Sequence, residues 1–109
     1  MQLLTDELRV SLPALYAQEN EKDPMVYAKF FTPWTGWTWY VTEGQPEGEY
    51  FIFFGYVIGF EEEWGYFALS ELGSARGPLS LPIERDLYFS AGPFDEVIAR
   101  YRKERGEQD

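Results

Sequence analysis

Residues 50–60 read Tyr50-Phe51-Ile52-Phe53-Phe54-Gly55-Tyr56-Val57-Ile58-Gly59-Phe60, the longest apolar run in the chain. Aromatic and β-branched residues dominate it, which makes it a strand. It is too short, and too broken by Gly55 and Gly59, to be a membrane-spanning helix. In a strand, Phe51, Phe53, Gly55, Val57 and Gly59 point one way and Ile52, Phe54, Tyr56, Ile58 and Phe60 the other. Both sides are apolar, unlike a half-solvated antiparallel strand. Each face therefore needs a cover: a helix, a folded-over sheet or another molecule. The two glycines are expected to let a helix approach one face closely.

Working outward, Glu63–Ser70 reads as the next strand, close enough to form a hairpin with the first. Upstream, Gly44-Gln45-Pro46-Glu47-Gly48 carries loop chemistry, Trp37–Glu43 is a strand, Pro33–Gly36 a turn and Met25–Phe31 a further strand. Asn20–Pro24 is a polar loop. At the N-terminus, Thr5 is an N-cap followed by Asp6 and Glu7, and Leu4, Leu8, Leu12 and Leu15 share one helical stripe. Pro13 ends that helix near Leu12, with another turn expected over Ala14–Glu19. Downstream, Ser70 is expected to cap a turn through Glu71–Gly73, Ser74–Pro82 is a loop, and Ile83–Phe89 a shorter fifth strand. Gly92-Pro93 precedes Phe94, Val97, Ile98 and Tyr101, which lie on one face of a C-terminal helix. The reading is a single α+β domain over residues 1–109, an antiparallel sheet of four to five strands flanked by an N-terminal and a C-terminal helix.

The chain has 109 residues, 9 Lys plus Arg, 19 Asp plus Glu, no His and no Cys, for a formal charge of −10. Without Cys there is no disulfide, thiolate metal site or cysteine nucleophile, and without His there is no imidazole base or Ser-His-Asp triad. Any metal site would be built from oxygen ligands of the Mg²⁺ or Ca²⁺ type. No cofactor is expected. The start of the chain lacks a basic region ahead of an apolar one, so a cytoplasmic protein without a signal peptide is expected. Residues 30–75 carry 7 Glu and no Lys or Arg. Such a surface repels DNA and anionic membranes, so neither is an expected partner.

Four constellations carry candidate chemistry. Glu61-Glu62-Glu63 offers carboxylates, but adjacent side chains alternate in a strand, and the plainer role is to guard the apolar run against aggregation. Trp34, Trp37 and Trp39 are a candidate stacking platform for a base, a sugar or a partner chain. Core packing is the competing role, with Trp34, in the turn, the one expected to be exposed. Glu71, Arg76, Glu84, Arg85 and Asp86 offer an anion pocket or, through Glu84 and Asp86, a Mg²⁺ pair; an ion-pair network pinning a loop is the plainer role. Arg100, Arg102, Lys103 and Arg105 suit a helix C-terminus. No catalytic residue and no metal-ligand set is assigned.

The chain resembles the bacterial family of unknown function DUF2958. The resemblance rests on Leu3-Leu4-Thr5-Asp6-Glu7-Leu8, on Asp23-Pro24 with Tyr27-Ala28-Lys29-Phe30-Phe31, and on Trp37-Thr38-Trp39-Tyr40. It continues through Thr42-Glu43-Gly44, Phe54-Gly55-Tyr56-Val57, Trp64-Gly65-Tyr66-Phe67, Ser70-Glu71-Leu72, Arg76-Gly77-Pro78 and Leu81-Pro82-Ile83-Glu84-Arg85-Asp86. It implies a likeness to accessory proteins of plasmids and integrative elements, in mobile-element maintenance or defence evasion. It implies no activity, cofactor or catalytic residue.

Three functions compete. The first is a small acidic, non-enzymatic interaction protein whose aromatic-rich sheet binds the basic surface of a protein partner, with an anti-defence DNA mimic as one form. The second is a carboxylate- and Mg²⁺-dependent enzyme acting on nucleic acid or another phosphate ester, through Glu71, Glu84 and Asp86 with Arg76 or Arg85. The third is a small-molecule or carbohydrate module using Trp34, Trp37 and Trp39. The first is favoured by the missing catalytic residue types. A homodimer through an uncovered sheet face is a further expectation.

Overall fold

A computed structural model describes residues 1–106. In chain order the elements are α1 (Asp6–Ser11), β1 (Met25–Val26), β2 (Ala28–Phe31), β3 (Thr38–Glu47), β4 (Tyr50–Ile58), β5 (Glu62–Ala68), α2 (Leu69–Ser74), β6 (Glu84–Arg85), β7 (Gly92–Pro93) and α3 (Phe94–Glu104). A single 3-10 turn, Pro78–Ser80, lies between α2 and β6. The main sheet is antiparallel in the order β5-β4-β3-β2-β6, and β1 pairs with β7 as a separate ribbon. The protein is α+β, with five strands in its main sheet. Among the described residues no helix is long and apolar enough to cross a membrane.

One apolar face of β4 is covered from within the described chain, and the other is covered in part. Phe51, Phe53 and Val57 enter a core with Leu4, Leu8, Leu12, Phe30, Trp39, Val41, Phe67, Leu72 and Ile83, beneath α1 and α2. Tyr56 and Ile58 pack with Tyr40 against Val97, Ile98 and Tyr101 of α3. The face on which self-association was expected to rest is thus partly occupied by α3. The glycines of β4 and its end do not admit a helix. A Cβ on Gly55 would stand 1.9 Å from the Tyr40 carbonyl oxygen of β3, and one on Gly59 2.5 Å from the Trp37 ring. Gly55 permits strand to approach strand, and Gly59 seats an indole.

Several boundaries differ from the sequence reading. The Thr5 hydroxyl accepts the Leu8 N–H at 3.1 Å, as an N-cap should, and α1 stops before Pro13. The segment after it runs in successive turns, as expected over Ala14–Glu19, with Ala17 N–H on the Ala14 carbonyl and Glu19 N–H on that of Tyr16. Tyr16 itself has φ +72°, outside helical space. The expected strand Met25–Phe31 splits at Tyr27, because β1 leaves to pair with β7 while β2 stays with β3.

The expected loop Gly44–Gly48 is mostly strand, and only Gly48-Glu49 turns, with Gly48 at φ +61°. Pro46 is tolerated because Gly44 gives its N–H to the Pro13 carbonyl, away from β4. Two residues on, the Pro46 nitrogen points the same way, so its missing N–H leaves no ladder bond unmade. The fourth strand ends at Ala68 because α2 begins there. The strand expected over Ile83–Phe89 shortens to Glu84–Arg85, where Asp86 accepts the Tyr88 N–H and turns the chain.

Candidate functional site

Phe54 and Tyr56 of β4 and Trp64 and Tyr66 of β5 share the sheet face that carries α3, but α3 covers only part of it. Its first residue, Phe94, meets Trp64 at 4.7 Å and Tyr56 at 4.9 Å between ring centroids. Beyond that contact Phe54 stacks on Trp64 (5.9 Å, 14° between planes) and meets Tyr66 at 4.8 Å. An aromatic row thus runs out from under the helix, with Trp64 40% and Tyr66 53% exposed.

The far wall is the turn segment after α1, held there by side chains of β3. Pairing of β3 with β4 slips between Val41 and Glu43, a bulge that redirects the strand. Glu43 is 3% exposed, the only buried carboxylate among the described residues. Its two oxygens accept the N–H groups of Tyr16 (2.8 Å) and Gln18 (2.7 Å). Charge-assisted bonds of this kind are what make a buried carboxylate tolerable. Gln45 accepts the Leu15 N–H at 3.0 Å, and the Gln18 carboxamide bonds Met25 N–H, Met25 O and Thr42 O. So fixed, Tyr16 adopts its left-handed backbone and brings its ring to 6.3 Å from Tyr66, while staying 59% exposed.

The result is a cleft of about 350 Å³, walled by Tyr16, Phe54, Trp64 and Tyr66 and floored by Thr42 and Glu43. Glu19, Glu21, Lys22 and Pro24 form its rim. The neighbouring Tyr16 phenol, first, and the negative charge of Glu43 and Glu19 hold the Tyr66 phenol above its ordinary pKa. Three carboxylates and one lysine line it, so the cleft suits a group that is flat or apolar in body and positive in charge.

Of the residues singled out from sequence, Trp34, Trp37, Trp39 and Glu71 meet in a second groove of about 420 Å³, which Tyr66 also borders. Trp39 is core. Trp37 is half-buried, edge-on to Phe60 at 5.2 Å. Trp34, expected to be exposed, is half-buried as well: it lies flat on Gly77, where a Cβ would come within 2.2 Å of its ring. Glu71 and Arg76 close the two ends of α2. Glu71 accepts the Ala68 N–H at 2.9 Å, and Arg76 donates to the carbonyls of Gly73 (2.8 Å) and Ala75 (2.7 Å).

Glu61 and Glu63 are exposed at the β4–β5 connection. Glu62 is bound by Arg102 (2.8 and 3.4 Å) and by the Tyr56 hydroxyl (2.8 Å). The Arg102 bond, then that of Tyr56, lowers its pKa. Glu84 and Arg85 form β6, where Arg85 donates to the Gln2 carbonyl at 3.3 Å, and Asp86 faces Lys29 at 3.8 Å. Among the described residues no group of three or more acidic side chains is placed to hold a metal ion. Arg100 donates to the Ser90 carbonyl at 3.2 Å, which ties α3 to the preceding segment, and Arg105 lies over Tyr101 at the end of its own helix.

The residues missed in the sequence are Tyr16, Glu43, Trp64 and Tyr66. The alternation Trp64-Gly65-Tyr66 placed two aromatics on one face. Nothing in the sequence marked Glu43 among seven glutamates of residues 30–75.

No curated protein and no solved structure matches the chain. The family model for the protein of unknown function DUF2958 matches residues 3–106. The chain belongs to that family.

Proposed function

We propose that this member of DUF2958 is a non-enzymatic interaction protein that takes a basic side chain of a protein partner into the acid-rimmed aromatic cleft. One observation carries the reading: Tyr16, Trp64 and Tyr66 leave much of their rings open around the buried Glu43, with Glu19 and Glu21 at the rim. An arginine is the best occupant. Its guanidinium stacks on aromatic faces, each such contact being worth about 0.5–2 kcal/mol, and its weak hydration makes entry cheap. The formal charge of −10 steers basic surfaces toward the protein. Surfaces that ordinarily hold nucleic acid carry such arginines, which connects the reading to the accessory role on a mobile element that the family resemblance implies.

Isothermal titration with a capped peptide of alternating threonine and arginine tests it, with threonine–glutamate as control. The arginine peptide is expected to bind, more weakly as salt rises, and the glutamate peptide not to bind. Tyr16→Gly removes one ring while suiting the left-handed backbone, and keeps the N–H that Glu43 accepts. It is expected to weaken binding about fivefold with the fold intact. Absence of binding at low salt, or equal binding of both peptides, overturns the reading.

A further inference from the structure

The cleft lies along an open sheet edge. Among the described residues the strand order ends at β5, whose outer side has no partner strand. Ala68 gives its N–H to Glu71 rather than to β4. Residues two apart in a strand aim their backbone groups alike, so Trp64 and Tyr66 also turn their N–H and C=O outward. The pairing of β3 with β4 gives the same answer. Gly44 donates away from β4, so its partner Phe53 bonds toward β5, and Phe67, opposite Phe53, bonds inward. The outward pair therefore belongs to the two residues whose side chains wall the cleft. Natural edges are usually blocked by charge, proline or a bulge. Here the charges stop at Glu62 and Glu63, and Trp64-Gly65-Tyr66-Phe67-Ala68 carries none of these devices.

We propose that an extended, basic peptide segment of the partner adds to β5 as a sixth strand, pairing with Trp64 and Tyr66 and dropping one arginine or lysine into the cleft. This rests on the interaction reading above and names the geometry of its ligand. Main-chain bonds to the edge supply affinity and the alternate side chain supplies selection. The occupant is basic because Glu61 and Glu63 flank one end of the edge and Glu19 and Glu21 rim the cleft beside it. A second copy of this chain is disfavoured, since two molecules of formal charge −10 would have to meet.

The test uses the full chain and capped peptides of alternating threonine and arginine, one plain and two N-methylated at alternate amides, one in each register. The plain peptide is expected to bind and to slow hydrogen exchange of the Trp64 and Tyr66 amides, and N-methylation to weaken binding at least about tenfold. Equal binding of plain and methylated peptides, with no slowing at Trp64 and Tyr66, overturns the strand addition while leaving the cleft reading in place. No binding of any of these peptides overturns both. Slowed exchange at these amides without peptide, in a protein that runs as a dimer, overturns the proposal in favour of self-pairing.

Discussion

Glu43 shows at the scale of one residue how the site is made. A carboxylate at 3% exposure would be costly if unpaired, yet it fixes the position of Tyr16 by holding the N–H groups of Tyr16 and Gln18. Glu43→Ala is expected to cost about 3 kcal/mol in urea unfolding, because two donors lose an ionised acceptor. Faster hydrogen exchange at Gln18 should accompany it. A loss below about 1 kcal/mol would show that other contacts, such as Gln45 on Leu15, hold the segment. Parity along Trp37–Glu43 was readable, but the slip between Val41 and Glu43 was not, since a bulge depends on how two strands meet. The aromatic partners were closer to legible, because Trp64 and Tyr66 follow simple alternation. What hid them was the reach of α3, which shields Trp64 in part and Tyr66 not at all.

Among the elements, the β4–β5 hairpin carries the account. Gly55 and Gly65 face each other across it, with opposite requirements. A methyl on Gly55 collides with the Tyr40 carbonyl at 1.9 Å, whereas one on Gly65 meets nothing within 4 Å. Gly55→Ala is expected to destabilise by about 3 kcal/mol. Gly65→Ala should be neutral or gain about 0.5 kcal/mol. Equal effects in thermal unfolding would contradict the strand packing described.

The docking of α3 has its own signature in alkali. Burial, first, and then the charges of Tyr101 and Glu104 push the Tyr40 phenol well above its ordinary pKa. A raised folded pKa means that the unfolded chain loses the proton first. Its contribution is whole below the ordinary tyrosine pKa and declines as pH rises above it. Tyr40→Phe is expected to flatten that alkaline decline; an unchanged slope in urea midpoints above pH 10 would count against the burial of this phenol.

Strand and helix identities along β2–β5 and α3 were legible from alternation and helical spacing. Boundaries were not, where a neighbour decided them. Pro46 continues β3 because its nitrogen faces away from β4, and Met25–Phe31 divides because Gly92-Pro93 competes for its first two residues.

At the scale of the whole molecule, the unbalanced charge is laid out in space. The block of residues 30–75, with 7 Glu and no Lys or Arg, forms half of β2 and all of β3, β4 and β5, most of the sheet. Two basic residues of α3 turn onto neighbours, Arg102 on Glu62 and Arg100 on Ser90. An acidic sheet edge is left beside a cleft of aromatic rings. The tryptophan-rich turn that stood out in the sequence lies in the other groove, where Trp39 is core, Trp34 rests on Gly77 and Trp37 fills the space over Gly59.

The claim that the cleft, and not that groove, receives a basic side chain is tested most directly by mapping. The amide and indole N–H signals of the protein would be followed as the threonine–arginine peptide is added. The account predicts that shifts concentrate on Tyr16, Gln18, Trp64 and Tyr66, while the indoles of Trp34 and Trp37 stay still. Shifts centred on Trp34 and Trp37, or no shifts at all, would contradict it.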